Sequence, residues 1–218
     1  DLEKTASARA SQMKIMTMLG GALMAGLNKL QDLSKRYSEN TRATADAMGV
    51  NVNEAKKMNT EILGAIKGEK MFQITMGEVV NQQKALKDAF KGSTAFTAEQ
   101  AVNLGIASKK LGISNDQAAK FSKAMFSIDG ASLKTSTQLM AGTKALAQAS
   151  GVDFDSVMED IANNGEAFAG SMGISGKELM KSAVAARRMG FELSDMKDMS
   201  EALLDVEGGI EAQMKFNM

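Results

Sequence analysis

Gly142 to Glu207, GTKALAQASGVDFDSVMEDIANNGEAFAGSMGISGKELMKSAVAARRMGFELSDMKDMSEALLDVE, uses one local device repeatedly: a helix stop, an apolar step and a new helix start. At Gly151 the chain reads GVDFD and at Gly190 GFELS. Each glycine can end a helix in the left-handed conformation, and the fifth residue, Asp155 or Ser194, can cap the next helix. The same syntax appears as GVNVN from Gly49 and GISND from Gly112, with Asn53 and Asp116 as the corresponding caps. These four helix-turn glycines predict a block of short helices.

Composition points the same way. The 218 residues include 18 Met, 20 Gly, 9 Phe and one Tyr, with no Pro, Cys, His or Trp. That is a helix former's vocabulary broken by glycine, without the β-branched and aromatic alternation of a sheet. The expected class is all-α. Lys plus Arg and Asp plus Glu both number 26, so no global field draws the chain to nucleic acid or anionic lipid. Without cysteine there are no disulfides and no thiolate chemistry; without histidine the commonest general base and metal ligand is missing. The first residue is Asp1, so the chain reads as a segment of something longer.

Met16, Leu19, Leu23, Gly26, Leu30, Leu33 and Tyr37 follow at alternating steps of three and four, a heptad seam that wants a partner helix. Burial inside its own domain is the competing reading. The apolar run Ile15 to Leu27 is 13 residues long, short of the ~20 that span a bilayer, and lysines bracket it. A second seam runs through Phe72, Met76, Val79, Gln83, Leu86 and Phe90, where Gln83 marks an exposed edge.

Further helices are expected to bury Ala55, Met58, Ile62 and Ile66; Ala101, Leu104, Ser108 and Leu111; Phe121, Met125 and Ile128; Leu139 and Leu146; and Val157, Ile161 and Phe168. Thr97 with Gln100 and Ser175 with Glu178 make capping boxes. The last helix carries Met196, Met199, Leu203 and Val206. Three parts follow: residues 1–45 with the N-terminal seam, 46–96 as a helical linker, and 97–218 as a compact helical block. Gly112, Gly151 and Gly190 stand 39 residues apart, which hints at a duplicated unit. The stretches between them differ and Gly49 does not keep the spacing, so recurrent punctuation is the favoured reading.

No catalytic, cofactor-binding or metal-binding residues emerge. The closest carboxylate pairs, Asp153 with Asp155, Glu159 with Asp160 and Asp205 with Glu207, fall in capping positions or on solvated faces, and none has calcium-loop spacing. Arg187 and Arg188 read as the cationic end of a helix. Leu111 to Met125, LGISNDQAAKFSKAM, has the outline of a helix-turn-helix, but Asn115, Gln117, Lys120 and Lys123 with Lys109 and Lys110 form a modest basic cluster rather than a stripe.

Thr143 to Met214 resembles a segment of the tail tape measure proteins of tailed bacteriophages. The likeness is carried by ASGV-D-x-D, D-I-A-N-N-G-E-A-F, A-A-R-R-M-G-F-E-L-S and E-A-L-L-D-V-E in that order. The resemblance implies a non-enzymatic virion protein, made in the host cytoplasm and placed in the tail lumen or its distal hub, that sets tail length and leaves ahead of the DNA. It implies a homo-oligomer, with a trimer favoured, and tail tube and baseplate hub or tip proteins as partners. It carries over no catalytic residues, no cofactor and no specific nucleic acid, and allows membrane contact only on ejection. The chain departs from the family's rod form: one helix of this length would reach ~330 Å at ~1.5 Å per residue, and the glycines forbid it. A folded terminal part docked at the hub or tip is the form expected. A membrane-inserting helical segment and a small DNA-binding module are the alternatives.

Overall fold

The structure, a computed structural model, describes residues 24–202 apart from 25, 26, 33, 69, 71 and 72. Among them every regular element is a helix. In chain order these are α1 (27–48, residue 33 apart), α2 (Val52–Ala65), α3 (Met76–Ala89), α4 (Ala98–Leu111), α5 (Asn115–Asp129), α6 (Leu133–Ala149), α7 (Phe154–Met172), α8 (Gly176–Met189) and α9 (193–202). The chain divides into two compact units within α2, at 57/58.

Glycine geometry makes the corners. Gly49, Gly112, Gly151 and Gly190 have φ of +61°, +78°, +68° and +85°. The residue after each donates its backbone N–H back into the helix just ended: Val50 to Ala45, Ile113 to Ser108, Val152 to Ala147 and Phe191 to Ala186. That is a Schellman closure, and it satisfies carbonyls that would otherwise be orphaned. No atom lies within 4 Å of a Cβ built on Gly151 or Gly190, so any cost there comes from the backbone. Gly151→Val and Gly190→Val are each expected to lose about 1–2 kcal/mol, since a β-branched residue resists positive φ. Asn at either site should recover part of the loss, because it tolerates that region. If both valine variants melt like the parent, the corners do not depend on these glycines.

The caps sit two residues earlier than the sequence pattern placed them. Asn51, Ser114 and Asp153 open α2, α5 and α7, not Asn53, Asp116 and Asp155. The Asn51 side chain accepts from the N–H groups of Asn53 and Glu54. Ser114 and Gln117 form a reciprocal capping box, and Asp153 accepts from Ser156. α9 begins after Glu192, whose N–H donates to Asp195, so Ser194 lies inside the helix. The Schellman closure consumes only the glycine and one apolar residue, and the third residue is then already extended and free to cap. The boxes at Thr97 with Gln100 and Ser175 with Glu178 are both formed, and Thr75 with Glu78 makes another at the start of α3.

From α3 onward the architecture is a stack of helix pairs. α3, α5 and α7 pack each on the next, α4, α6 and α8 do the same, and each odd helix packs on the even helix that follows it. This is two-layer, solenoid-like stacking. Thr75, Ser114, Asp153 and Glu192 open the odd helices at intervals of 39 residues. The burial register repeats as well. Val79, Ala118 and Val157 are buried, as are Val80, Ala119 and Met158, Gln82, Phe121 and Asp160, and Gln83, Ser122 and Ile161. In the even layer Ala101, Met140 and Leu179 correspond, and so do Ser108, Ala147 and Ala186. The 39-residue spacing therefore marks a structural unit present three times among the described residues, where the differing stretches argued for mere punctuation. What repeats is which positions are buried, not which residues fill them.

Several faces differ from their sequence assignment. Gln83 is buried, not an exposed edge, and the second seam is core: Val79, Leu86 and Phe90 are all inside α3's packing face or its cap. α6 turns inward through Leu133, Ser136, Met140, Thr143 and Ala147, leaving Leu139 half-buried and Leu146 exposed. Phe72, Leu203 and Val206 lie outside the described residues.

Candidate functional site

The N-terminal seam is described at two of its seven positions. Leu30 and Tyr37 are 63% and 45% exposed, and Leu27 beside them is 56% exposed. One turn further on, Thr41, Thr44, Ala45 and Met48 are buried. Every described residue of α1 before Thr41 is exposed, these three apolar ones included, and packing begins only at its last two turns. Met16, Leu19, Leu23, Gly26 and Leu33 lie outside the described residues, as does most of the run Ile15 to Leu27; no described helix is long and apolar enough to cross a membrane.

Four of the six polar side chains of the helix-turn-helix outline have partners within the stack. Lys109 bonds Glu78 at 2.9 Å, Lys120 pairs with Asp116 at 2.9 Å, and Lys123 is joined to Glu166. Gln117 donates to Asp155 at 3.0 Å. The Lys109 ammonium, with the Thr75 N–H and hydroxyl, holds the Glu78 carboxyl down at about 2. Lys123 likewise lowers Glu166. α5, which would be the reading helix, packs against α3, α4, α6, α7 and α8.

Among the described residues the most buried charge is Asp160, on α7. Its Oδ2 accepts the backbone N–H of Leu193 at 2.9 Å and its Oδ1 accepts the Asn164 amide at 2.9 Å. Arg187 Nε lies 3.4 Å from Oδ2, close enough to pair but not aligned as a hydrogen bond. Arg187 Nη2 reaches Glu192 at 3.1 Å. Asp160 is therefore not on a solvated face, and Arg187 does more than complement a helix end. Together they fasten the first turn of α9, where Leu193 is fully buried, to the last described helix pair.

Two other joints follow the same logic. Gln82, at the position of Asp160 in the first pair, donates to the Asn115 carbonyl at the start of α5, at 3.4 Å. Asp129 at the end of α5 accepts the Gly176 N–H, at 2.9 Å, at the start of α8. Gly176 is held there tightly: a Cβ would stand 2.6 Å from Met125 Sδ and 2.8 Å from Asp129 Oδ2. The Asp160 and Asp129 joints each close an orphan N–H of a helix's first turn with a side chain from another helix, whereas Gln82 adds a second donor to a first-turn carbonyl that the helix itself already uses.

Among the described residues no group of three or more carboxylates is placed to hold a metal ion. Three surface grooves stand out. The first, of about 560 Å³, lies between α4 and α6 and has Leu104 and Leu133 with Gln100, Asn103, Thr137 and Gln138, its surface mostly apolar. The second, of about 530 Å³, lies between α6 and α8 and has Leu146, Val184 and Met189 with Lys181 and Arg188. The third, of about 630 Å³, is formed by the end of α2 with residues 95–99. No family model, curated protein or solved structure matches the chain.

Proposed function

We propose that this chain is a structural, non-enzymatic segment of a bacteriophage tail of the tape measure type, a folded part on the tail axis that docks at the hub or tip. In that role it bears on tail length during assembly and is released ahead of the DNA. The observation that carries the proposal is the exposed stripe of Leu27, Leu30 and Tyr37 on α1, an apolar face of the sort that helices bundled in several copies cover. The resemblance over Thr143 to Met214 supplies the particle. A block whose corners are glycines, with no proline and no disulfide, suits a chain that must straighten to leave through a narrow tube. The lysines of the helix-turn-helix outline that already face carboxylates favour this reading over a DNA-binding module.

Self-association is testable directly. In analytical ultracentrifugation the parent is expected to sediment as an oligomer, and Leu30→Asp to weaken association more than about tenfold, since each copy loses ~1.5–3 kcal/mol of apolar burial. Its melting temperature at a concentration where both are monomeric should match the parent's. A parent that stays monomeric at every concentration sinks the self-association. The particle assignment is tested by mass spectrometry and electron microscopy of purified tails, where absence of the chain from the axial density overturns it.

A further inference from the structure

We propose that the groove between α6 and α8 is a docking site for an acidic amphipathic helix of another chain. Leu146, Val184, Ala185 and Met189 line it, with Leu146 and Met189 at 36% and 60% exposure, while Val184 is buried beneath. Lys181 and Arg188 border this apolar surface, both exposed. No carboxylate lines the groove, and neither cation is ion-paired among the described residues. Glu178, the carboxylate nearest Lys181 in sequence on α8, is turned onto the Ser175 cap, where the serine N–H and hydroxyl chiefly hold its pKa down and the Lys181 charge contributes a smaller share without a direct ion pair.

The spacing selects the occupant. Lys181 and Arg188 are seven residues apart on one helix, so they repeat along one face at ~10.5 Å. Carboxylates seven apart on a partner helix match that repeat, with an apolar stripe between them to cover Leu146 and Met189. A duplex or a lipid surface would call for a broader cationic field than two side chains, and the chain carries none overall, with 26 cationic and 26 anionic residues. The even layer already buries apolar side chains between α4 and α6 and between α6 and α8, and an added helix would extend that packing outward.

This site stands independently of the tail reading. The test is a display library of amphipathic helices of about 18 residues, long enough to hold a helical face, with leucines on one side and Glu or Lys allowed at the flanking positions. It is sorted on the full chain at about 0.15 M salt, where non-specific charge attraction is screened. Glu is expected to be enriched at positions seven apart, and the selected peptides to bind Lys181→Glu/Arg188→Glu at least about tenfold more weakly than the parent. Both residues are exposed, so the double variant should melt like the parent; if it does not, Lys181→Ala/Arg188→Ala carries the comparison. Enrichment of Lys, no charge preference, no enriched peptide, or equal binding to the variants overturns the proposal. So does a dimer of the chain that the double variant abolishes, since the occupant is then a second copy. Leu30→Asp should leave peptide binding unchanged, so failure here and failure of self-association are read separately.

Discussion

Phe121→Ala is expected to lower the free energy of unfolding by about 3–5 kcal/mol, the largest effect of any single truncation in the stack. Phe121 is fully buried on α5, and α5 packs against α3 and α7 in its own layer and against α4, α6 and α8 in the other. The ring's removal leaves a cavity bounded by elements that support one another, so little collapse can fill it. Phe126→Ala is the control on the same helix. Phe126 is 48% exposed and meets Phe90 edge-on at 5.7 Å, so its loss should cost only about 1 kcal/mol. Urea unfolding with unchanged m-values checks both. A loss below about 1.5 kcal/mol for Phe121→Ala would mean that α5 is not the centre of the packing. A domain with ~5–15 kcal/mol of total stability would be brought near its limit by the single change.

That centre was only half legible in the sequence. The periodic placement of Phe121 and Met125, and of Val157, Ile161 and Phe168, identified inward faces that the structure buries. The glycine corners were legible because positive φ is a property of one residue and its two neighbours. The caps stand two residues before the fifth position because side-chain type does not separate Asn51 from Asn53 or Asp153 from Asp155; the closure geometry decides which residue is extended. The α6 face differs because Leu139 and Leu146 outrank Thr143 and Ala147 in hydrophobicity, whereas the face that packs is the one through Leu133, Ser136, Met140, Thr143 and Ala147. The 39-residue unit was visible in the glycines but not in the residues between them. Position 82 is Gln, 121 is Phe and 160 is Asp, three chemistries at one buried place. Sequence similarity cannot reveal an equivalence of that kind; aligning the chain on its glycines at 39-residue intervals would have placed Asp160 beside Phe121 and marked it as buried.

Asp160 is where that equivalence has the most to say about energetics. A carboxylate at a place filled elsewhere by a phenyl ring is a liability unless it is hydrogen-bonded and its charge is met, and here Leu193 and Asn164 donate to it while the Arg187 guanidinium pairs with its charge. Asp160→Leu preserves bulk but strands the Leu193 N–H and leaves Arg187, whose side chain is only 22% exposed, facing apolar carbon. The expected loss is about 3 kcal/mol, the lower end for breaking a buried pair because Arg187 keeps Glu192 and some solvent. Asp160→Asn retains an acceptor for Leu193 and should cost about 1–2 kcal/mol. If the cost arises from the stranded cation, Asp160→Leu/Arg187→Met recovers part of it, and the double-mutant cycle gives a coupling above about 1 kcal/mol. Hydrogen exchange separates the joint from general stability. In Asp160→Leu the amides of 193–202 should lose protection before those of α7 do, because α9 is held at its first turn by this carboxylate. Equal loss in both helices would show that Asp160 supports the core of α7 and does not fasten α9, and the resemblance between the Asp160 and Gln82 joints would then be one of position without a shared role.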